Sequence, residues 1–500
     1  MKQETNALCP VCLKTIPAVK VQRGSEVWLE KNCPEHGSFS VQVAKDAERF
    51  FDKTYDVEGK PFQAITAFHG NCGPDCGWCD AHKQHICTGL IEITEACNLA
   101  CPICYFGKKS SEHISVDEFK ARLQTLLTVE QGHLDVLQIS GGECLLHPRF
   151  KDILQEALQA DIGRILINTN GLNLLTDRGL FNFIQKHKDR VEIYLQFDGF
   201  DDEVYQTLRG QQLLAQKREI LLRLFSADIK VCLAVTVYQG NLKEIPAILK
   251  LAVDFKNISG ITFQRLTKVG SAVGTKIPSV MQEDILLAIS NSGYMKYKDL
   301  IPLPCSHENC TSLGFLFCQG DKVYSLGDYI DYSKCKAQLS NRIAFDKTIL
   351  DYMQKNVCKC FVGKVLGDNF MLEKLQEFAQ GNGSVHKDMK IVRIIVKNFM
   401  DADTFDWQRA QKCCTGVSVG HGRVIPFCVH NTLKGKIIRT ENKEHLQAVT
   451  PPSLAPTPKP AKKPRSVWEI VGIVFLVILG IIVAIPFLLF MTCLIMIGSH

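Results

Sequence analysis

The sequence predicts an α/β protein built on a partial, parallel (β/α)6 barrel, with metal-cluster domains on both its N-terminal and C-terminal sides and one C-terminal transmembrane helix. Three observations predict it. Between Gly89 and Lys268, short β-rich runs alternate with helical segments that carry charged faces. The 22 cysteines fall in tight local clusters rather than scattered pairs. The last residues include an uncharged apolar run, Ile470 to Ile497.

Composition narrows the class. A chain of 500 residues, 46% apolar, has room for two or three domains and a large core, which excludes a disordered protein. The opening MKQETNALCPVC has no apolar signal-like region, so the thiols are expected in a reducing cytoplasm, where clustered cysteines favour metal over disulfides. The net charge of +6 is modest and part of it lies in KKPR at Lys462 to Arg465. No basic stripe interleaved with aromatics occurs, so no nucleic-acid partner is expected.

Taken in order, residues 1–45 carry CPVC and CPEHG. Cys9, Cys12, Cys33 and His36 form C-x2-C and C-x2-H knuckles that can close a tetrahedral site for mononuclear zinc or iron. Residues 46–88 carry CGPDCGWC. Cys72, Cys76 and Cys79, with Cys87 just before the first barrel strand, suit an auxiliary 4Fe-4S cluster beside the barrel mouth; His82 and His85 keep zinc as an alternative. Residues 89–285 hold the six strand runs: GLIEIT (89–94), LDVLQIS (134–140), GRILINT (163–169), VEIYLQFDG (191–199), KVCLAVTV (230–237) and GITFQRL (260–266). Each ends on polar or glycine residues, as expected where a barrel presents its chemistry at the carboxyl ends of its strands.

Directly after the first run comes CNLACPIC. Cys97, Cys101 and Cys104 can hold three corners of a 4Fe-4S cube and leave the fourth iron open to a small molecule. SGGE, with Gly141, Gly142 and Glu143, ends the second run. Asn170, Asp198, Thr236 and Gln264 stand at later strand ends, where each is either a further pocket residue or a turn and cap residue. Cys232 reads as a buried structural thiol and Cys144 is open to either role. In 286–447 the thiols Cys305, Cys310, one of Cys413 or Cys414, and Cys428 are the expected ligands of a second auxiliary cluster, with Cys318, Cys335, Cys358 and Cys360 left over. Residues 448–466 form a Pro-rich basic linker, and 467–498 a membrane helix. At 1.5 Å per residue the uncharged run would extend about 42 Å against a hydrocarbon core of about 30 Å, so it must tilt, kink near Pro486 or bury its ends. The positive-inside rule then places the body on the cytoplasmic face of the cell membrane, single-pass and tethered by its tail.

The CNLACPIC loop followed by SGGE resembles the signature of the radical S-adenosylmethionine (SAM) superfamily, although Ile103 stands where many members have an aromatic and Tyr105 follows instead. The resemblance implies a SAM-binding 4Fe-4S cluster on Cys97, Cys101 and Cys104, a SAM amino group received by the Gly141–Glu143 turn, a 5′-deoxyadenosyl radical, and a low-potential electron donor such as ferredoxin or flavodoxin. CPVC with CPEHG, HGNCGPDCGWC, CNLACPICY, PLPCSHENC and FMDADTFDWQRAQKCC with GRVIPFC together resemble the tetraether lipid synthases and their bacterial relatives that make membrane-spanning lipids. That implies two auxiliary clusters, a mononuclear site, a membrane lipid substrate, coupling of two terminal methyl groups by an sp3–sp3 bond, and an apolar tunnel. Two other readings stand beside it: a radical SAM enzyme that modifies a peptide or another small apolar molecule, and a membrane-tethered Fe–S electron-transfer protein. A zinc-rich scaffold is a further one.

Overall fold

In the computed structural model of the protein, residues 1–67, 77–107, 110–341 and 389–441 are described. The chain divides into two units, Met1–Glu444 and His445–His500. The expected linker and membrane helix lie outside the described residues, as do Cys72, Cys76, Cys358 and Cys360. Among the described residues no helix is long and apolar enough to cross a membrane.

Strands β1 (Lys2–Leu8), β2 (Thr15–Arg23), β3 (Glu26–Cys33) and β4 (Gly37–Ala44) form an antiparallel meander. Along β2 and β3 buried and more exposed residues alternate, so one face packs Ala7, Ala18, Val27, Leu29 and Val43 against Phe50. The turns between β1 and β2 and between β3 and β4 hold the knuckles. Leu13 takes a left-handed φ of 58° and donates its N–H to the Cys9 carbonyl at 2.9 Å, which folds the first knuckle back on itself.

The six expected runs become β5 (Thr88–Glu92), β6 (Leu134–Ser140), β7 (Ile162–Thr169), β8 (Val191–Gln196), β9 (Val231–Val237) and β10 (Ile258–Arg265), each parallel to the next. Helices such as Val116–Val129 and Ile245–Asp254 lay Phe119, Leu126, Ile248 and Leu249 on one continuous core with Ile91, Ile139, Ile167 and Ile193. The sheet does not stop at six. After β11 (Ile301–Pro302), β12 (Thr311–Gln319) and β13 (Lys322–Ser325), the strand β14 (Met389–Lys397) joins β10 in parallel. Beyond it β15 (Thr415–Gly420) joins β5 in parallel and pairs with β16 (Arg423–Pro426). The partial barrel expected at 89–285 is therefore extended on both edges by the segment expected to serve only as a cluster domain. The physical reason is edge satisfaction: β5 and β10 would otherwise present unpaired backbone groups.

Residues 398–414 carry the chain from one end of this parallel sheet to the other. The N-terminal meander docks on that crossing. Asp406 accepts from Thr5 Oγ1 at 2.6 Å and from Lys20 Nζ at 2.7 Å. Lys31 Nζ donates to the carbonyls of Leu8, Ala402 and Asp403. Both Lys20 and Asp406 are buried, so the pair cannot be replaced by water when one partner is lost.

Asp406→Ala should therefore destabilise the protein by about 3–5 kcal/mol, because it leaves a buried ammonium unpaired. Burial opposes the Asp406 charge, but Lys20 and Thr5 outweigh it and hold its pKa below the ordinary range. The stability it supplies is full above the unfolded carboxylate value of about 3.9 and is lost as pH falls through the lower folded value. Thermal melts of wild type and variant across pH 3–7 check this; equal melting temperatures at pH 7 would refute the role of the pair.

Candidate active site

The cysteine loop leaves the carboxyl end of β5 and is clamped there by β6. Gly142 N–H donates to Thr94 O at 2.7 Å, and Glu143 N–H to Ala96 O at 2.8 Å. A Cβ on Gly141, at φ 142°, would come within 2.3 Å of Thr94 O, and one on Gly142 within 2.4 Å of Ala96 O. Only glycine permits this approach. Glu143 then locks the next strand end: its carboxylate accepts from Thr169 Oγ1 at 2.7 Å, Asn170 N at 2.7 Å and Leu145 N at 3.1 Å. It is buried, and burial raises its pKa. Asn170 reaches back to the loop, donating from Nδ2 to Asn98 Oδ1 at 2.7 Å.

Cys97, Cys101 and Cys104 are half-buried at the rim of a cavity of about 350 Å³ inside the barrel. Gly141, Gly142, Glu143, Asn170, Thr236 and Gln264 line the same cavity, so the expected residues are brought together, with one exception. Asp198 does not line it. Its buried carboxylate accepts from Arg209 Nε at 2.7 Å, Arg209 Nη2 at 2.8 Å and Thr236 N at 3.0 Å. Asp198 is thus a positioning residue, and Arg209 is the group that meets the cavity. Burial works against the Arg209 charge, but Asp198 and the Cys101 sulfur raise its pKa and keep it protonated beside the cysteine loop. Sequence reading missed Arg209, since one arginine before a helix-ending glycine carries no distinguishing signal. It also missed Lys217, buried against Asn170 O and Gln196 Oε1 at 2.6 Å each, whose pKa burial pushes down to about 7.

The cavity wall is mixed, with Leu90, Val136, Leu166, Ala234 and Ile395 beside hydrogen-bonding groups. Gln138 on β6, Asn168 on β7, Tyr194 and Gln196 on β8, and Thr262 and Gln264 on β10 all line it. Gln264 Nε2 donates to Tyr194 OH at 2.7 Å, while the buried Oδ1 of Asn168 has no partner. Aromatic rings gather at the cysteine end, where Tyr105, Phe399 and Phe427 pack with centroids 4.7 to 6.5 Å apart. The lining is thus part apolar and part hydrogen-bonding, rather than the wholly apolar tunnel expected for lipid chains. Cys232 is buried and lines the cavity, and its thiol is pushed up to about 12 by burial. Cys144 is fully buried and donates to Asn168 O, which makes it structural.

The metal knuckles close as expected. Cys9, Cys12, Cys33 and His36 bring one ligand atom each within 4.8 Å of one another. The pairs Cys9–His36, Cys33–His36 and Cys12–Cys33 stand 3.7, 3.4 and 4.0 Å apart. A tetrahedron with Zn–S of about 2.3 Å has edges of about 3.8 Å, so the donors fit a mononuclear ion.

The auxiliary thiols group differently from expectation. Cys87 meets Cys305 and Cys414, all within 4.8 Å, rather than Cys79. It lies at the amino end of β5, where Thr88 N–H bonds Cys414 O at 3.1 Å, and not beside the carboxyl-end mouth. The Cys87 and Cys305 sulfurs touch, yet their Cα atoms are 7.8 Å apart, beyond the usual disulfide range of about 4.4–6.8 Å. A shared zinc or iron–sulfur site accounts for three converging thiols better than a crosslink. His85 stands 3.3 Å from the Cys87 sulfur and its other nitrogen pairs with Glu130 at 2.8 Å, while His82 bonds Cys413 O, so both histidines are built into this region. Cys310, Cys413 and Cys428 gather near Arg409, whose Nε donates to Cys310 Sγ at 3.4 Å, and Cys310 also lies within charge range of Cys414. Of the expected set, Cys305 and Cys414 converge with Cys87, while Cys310, Cys413 and Cys428 stand outside that trio and next to it.

Comparison with known proteins agrees with this geometry. Residues 1–45 match the family described as the HMPTM N-terminal zinc ribbon domain, and residues 91–252 match the radical SAM superfamily. The chain is similar to the 7,8-dihydro-6-hydroxymethylpterin dimethyltransferase of Methanocaldococcus jannaschii, 27% identical over 488 residues, covering 87% of this chain and 94% of that one. It is also similar to the subtilosin biosynthesis protein AlbA of Bacillus subtilis, 27% identical over 158 residues, but the match covers only 31% of this chain and 34% of AlbA. Among solved structures, SuiB of Streptococcus suis bound to precursor peptide SuiA matches with a TM-score of 0.37 and 14% identity, covering 42% of this chain and 46% of that one. Residues 91–252 thus carry a radical SAM domain, which implies SAM and a 4Fe-4S cluster as cofactors, behind a zinc ribbon in residues 1–45.

Two sets of variants should separate the sites. Cys97→Ala, Cys101→Ala and Cys104→Ala together should abolish 5′-deoxyadenosine production while the bound zinc stays; His36→Ala should lose the ribbon metal and keep deoxyadenosine production within about twofold. Metal analysis with chromatographic detection of deoxyadenosine reads both, and persistent SAM cleavage in the triple variant would sink the assignment.

Proposed function

We propose that this radical SAM enzyme forms carbon–carbon bonds on a polar, hydrogen-bonding heterocycle of the reduced-pterin class, adding carbon from a second substrate such as a methyl donor. The single observation that carries the reading is the barrel interior. Its amides and hydroxyls, with the Asn168 Oδ1 that has no partner among the described residues, suit the donor and acceptor edges of a pterin, and the apolar side chains between them suit its ring faces. Similarity to a pterin dimethyltransferase along nearly its full length supports it.

When bound, the cluster and SAM supply a 5′-deoxyadenosyl radical that takes a hydrogen atom from an unactivated carbon, with the electron drawn from a low-potential donor such as ferredoxin or flavodoxin. The chain's own residues do the rest. Cys97, Cys101 and Cys104 would hold the cluster, in a loop fixed by Thr94, Ala96 and Asn170. Arg209 places a permanent positive charge near Cys101, where the cluster and the SAM carboxylate would add negative charge. Tyr105, Phe399 and Phe427 exclude water from the cysteine end of the cavity. Gln264 and Tyr194, with Asn168 beside Tyr194 on the adjacent strand, would orient a ring along this wall.

A second reading, end-to-end coupling of membrane-lipid chains, is favoured by the uncharged run from Ile470 to Ile497, which would tether the enzyme to the cytoplasmic face of the membrane beside such a substrate. Anaerobically reconstituted enzyme given SAM, a chemical reductant, a methyl donor and 7,8-dihydro-6-hydroxymethylpterin should yield a pterin heavier by one or two methyl groups. No pterin product, together with chains joined end to end in the core lipids of cells expressing the protein, would replace the first reading by the second. Separately, truncation after residue 447 should move the protein from the membrane fraction to the soluble fraction; an unchanged distribution would remove the tether.

A further inference from the structure

Deep in the barrel, at the amino ends of its strands, two arginines share one carboxylate. Strand alternation puts Arg164, Leu166 and Asn168 of β7 on the cavity side. Arg164 Nη1 donates to Glu192 Oε2 at 2.8 Å, and Arg393 Nη2 approaches Glu192 Oε1 at 3.5 Å. Ser259 donates to the same carboxylate. Gly260 makes room for this, because a Cβ there would stand 3.2 Å from the Cβ of Arg393. Glu192 is 2% exposed, whereas the side chains of Arg164 and Arg393 keep 32% and 14% of their surface open, and both line the cavity. Burial and the neighbouring Arg393 lower the Arg164 pKa, the sign of two cations held close in a poorly solvated place.

One carboxylate cannot neutralise two guanidiniums, and each guanidinium offers more N–H groups than Glu192 and Ser259 can accept. Six residues of β7 and its following turn separate Arg164 from Asn170 at the cysteine end, roughly 20 Å at about 3.3 Å per residue. We infer that Arg164 and Arg393 form an oxyanion subsite that binds a phosphate ester or carboxylate of the substrate, while Asn168, partway along β7, accepts a hydrogen bond from the substrate body. The subsite rests on the reading that the substrate occupies this cavity. It would fix the anionic end far from the cysteine loop and so choose which carbon of the substrate lies near that loop. A purely structural plug, the ordinary role of a buried Arg–Glu–Arg network, would contribute stability without binding anions.

Calorimetric titration of the anaerobically reconstituted full chain with inorganic pyrophosphate, and separately with malonate, tests this. Binding by the wild type that falls tenfold or more in Arg393→Gln and Arg164→Gln, with partial retention in Arg393→Lys, is expected; the tighter of the two probes tells phosphate from carboxylate. Arg393→Lys keeps the charge next to Glu192 and so serves if the neutral variants fail to fold, since loss of the guanidinium fork should still weaken binding. No binding of either probe, or equal binding by all variants, would overturn the subsite. A pterin assay keeps the two readings apart. If 7,8-dihydro-6-hydroxymethylpterin is methylated with the same KM as its phosphate ester, the subsite fails and the pterin reading survives. If neither pterin reacts but pyrophosphate binding depends on Arg393, the subsite survives and the pterin reading fails.

Discussion

The close approach of Gly141 and Gly142 to Thr94 and Ala96 is the constraint on which the rest of the site depends. Two backbone hydrogen bonds at 2.7 and 2.8 Å join the turn after β6 to the start of the cysteine loop, and neither survives a side chain at Gly142. Through them the loop inherits the rigidity of the sheet. Glu143 transmits it onward to the end of β7 by three charge-assisted hydrogen bonds, and Asn170 returns it to Asn98 inside the loop. Three thiols on an otherwise irregular segment are thereby held to a fixed geometry, which a low-potential cluster bound at its corners needs.

A second principle acts at the sheet edges. The segment 398–414 links strands at opposite ends of the parallel sheet, and it is also where the N-terminal meander docks and where Cys413 and Cys414 lie. Cys414 meets Cys87 and Cys305, and Cys413 neighbours Cys310 and Cys428. Cys310 lies within charge range of both adjacent cysteines, so the thiols of this region are gathered around one short stretch of chain. The ribbon, the barrel and the cysteine groups form one mechanical object, because each uses the crossing segment as a wall.

What was legible in the sequence was local. The six strands showed through alternation and glycine-bounded ends, and Cys9, Cys12, Cys33 and His36 through their spacing, because each set closes over a short stretch of chain. Cys87 could not be paired correctly, since its partners Cys305 and Cys414 reach it only after the sheet edges are completed. Asp198 looked like a ligand-binding strand-end residue, but its buried carboxylate is spent on Arg209 and Thr236. The hydrogen-bonding groups of the barrel interior were present in alternate positions of the strand runs, as Gln138, Asn168, Tyr194 and Gln264. Resemblance to lipid synthases argued for a wholly apolar lining, whereas those residues set polar groups among apolar ones.

The order in which the strands occur along the chain has a consequence in time. A ribosome releases β5 through β10 first, and the partners of β5 and β10 on their outer edges, β15 and β14, come from residues 389–420. At about 5–20 residues per second, the interval between synthesis of Arg265 and Gly420 is roughly eight to thirty seconds. Until β14 is made the nascent sheet has two open borders, and until β15 is made it still has one, each able to recruit a strand from another chain. The cell must shield those borders or keep synthesis dilute, which makes the yield of this enzyme a matter of translation speed and chaperone supply as much as of iron and sulfide.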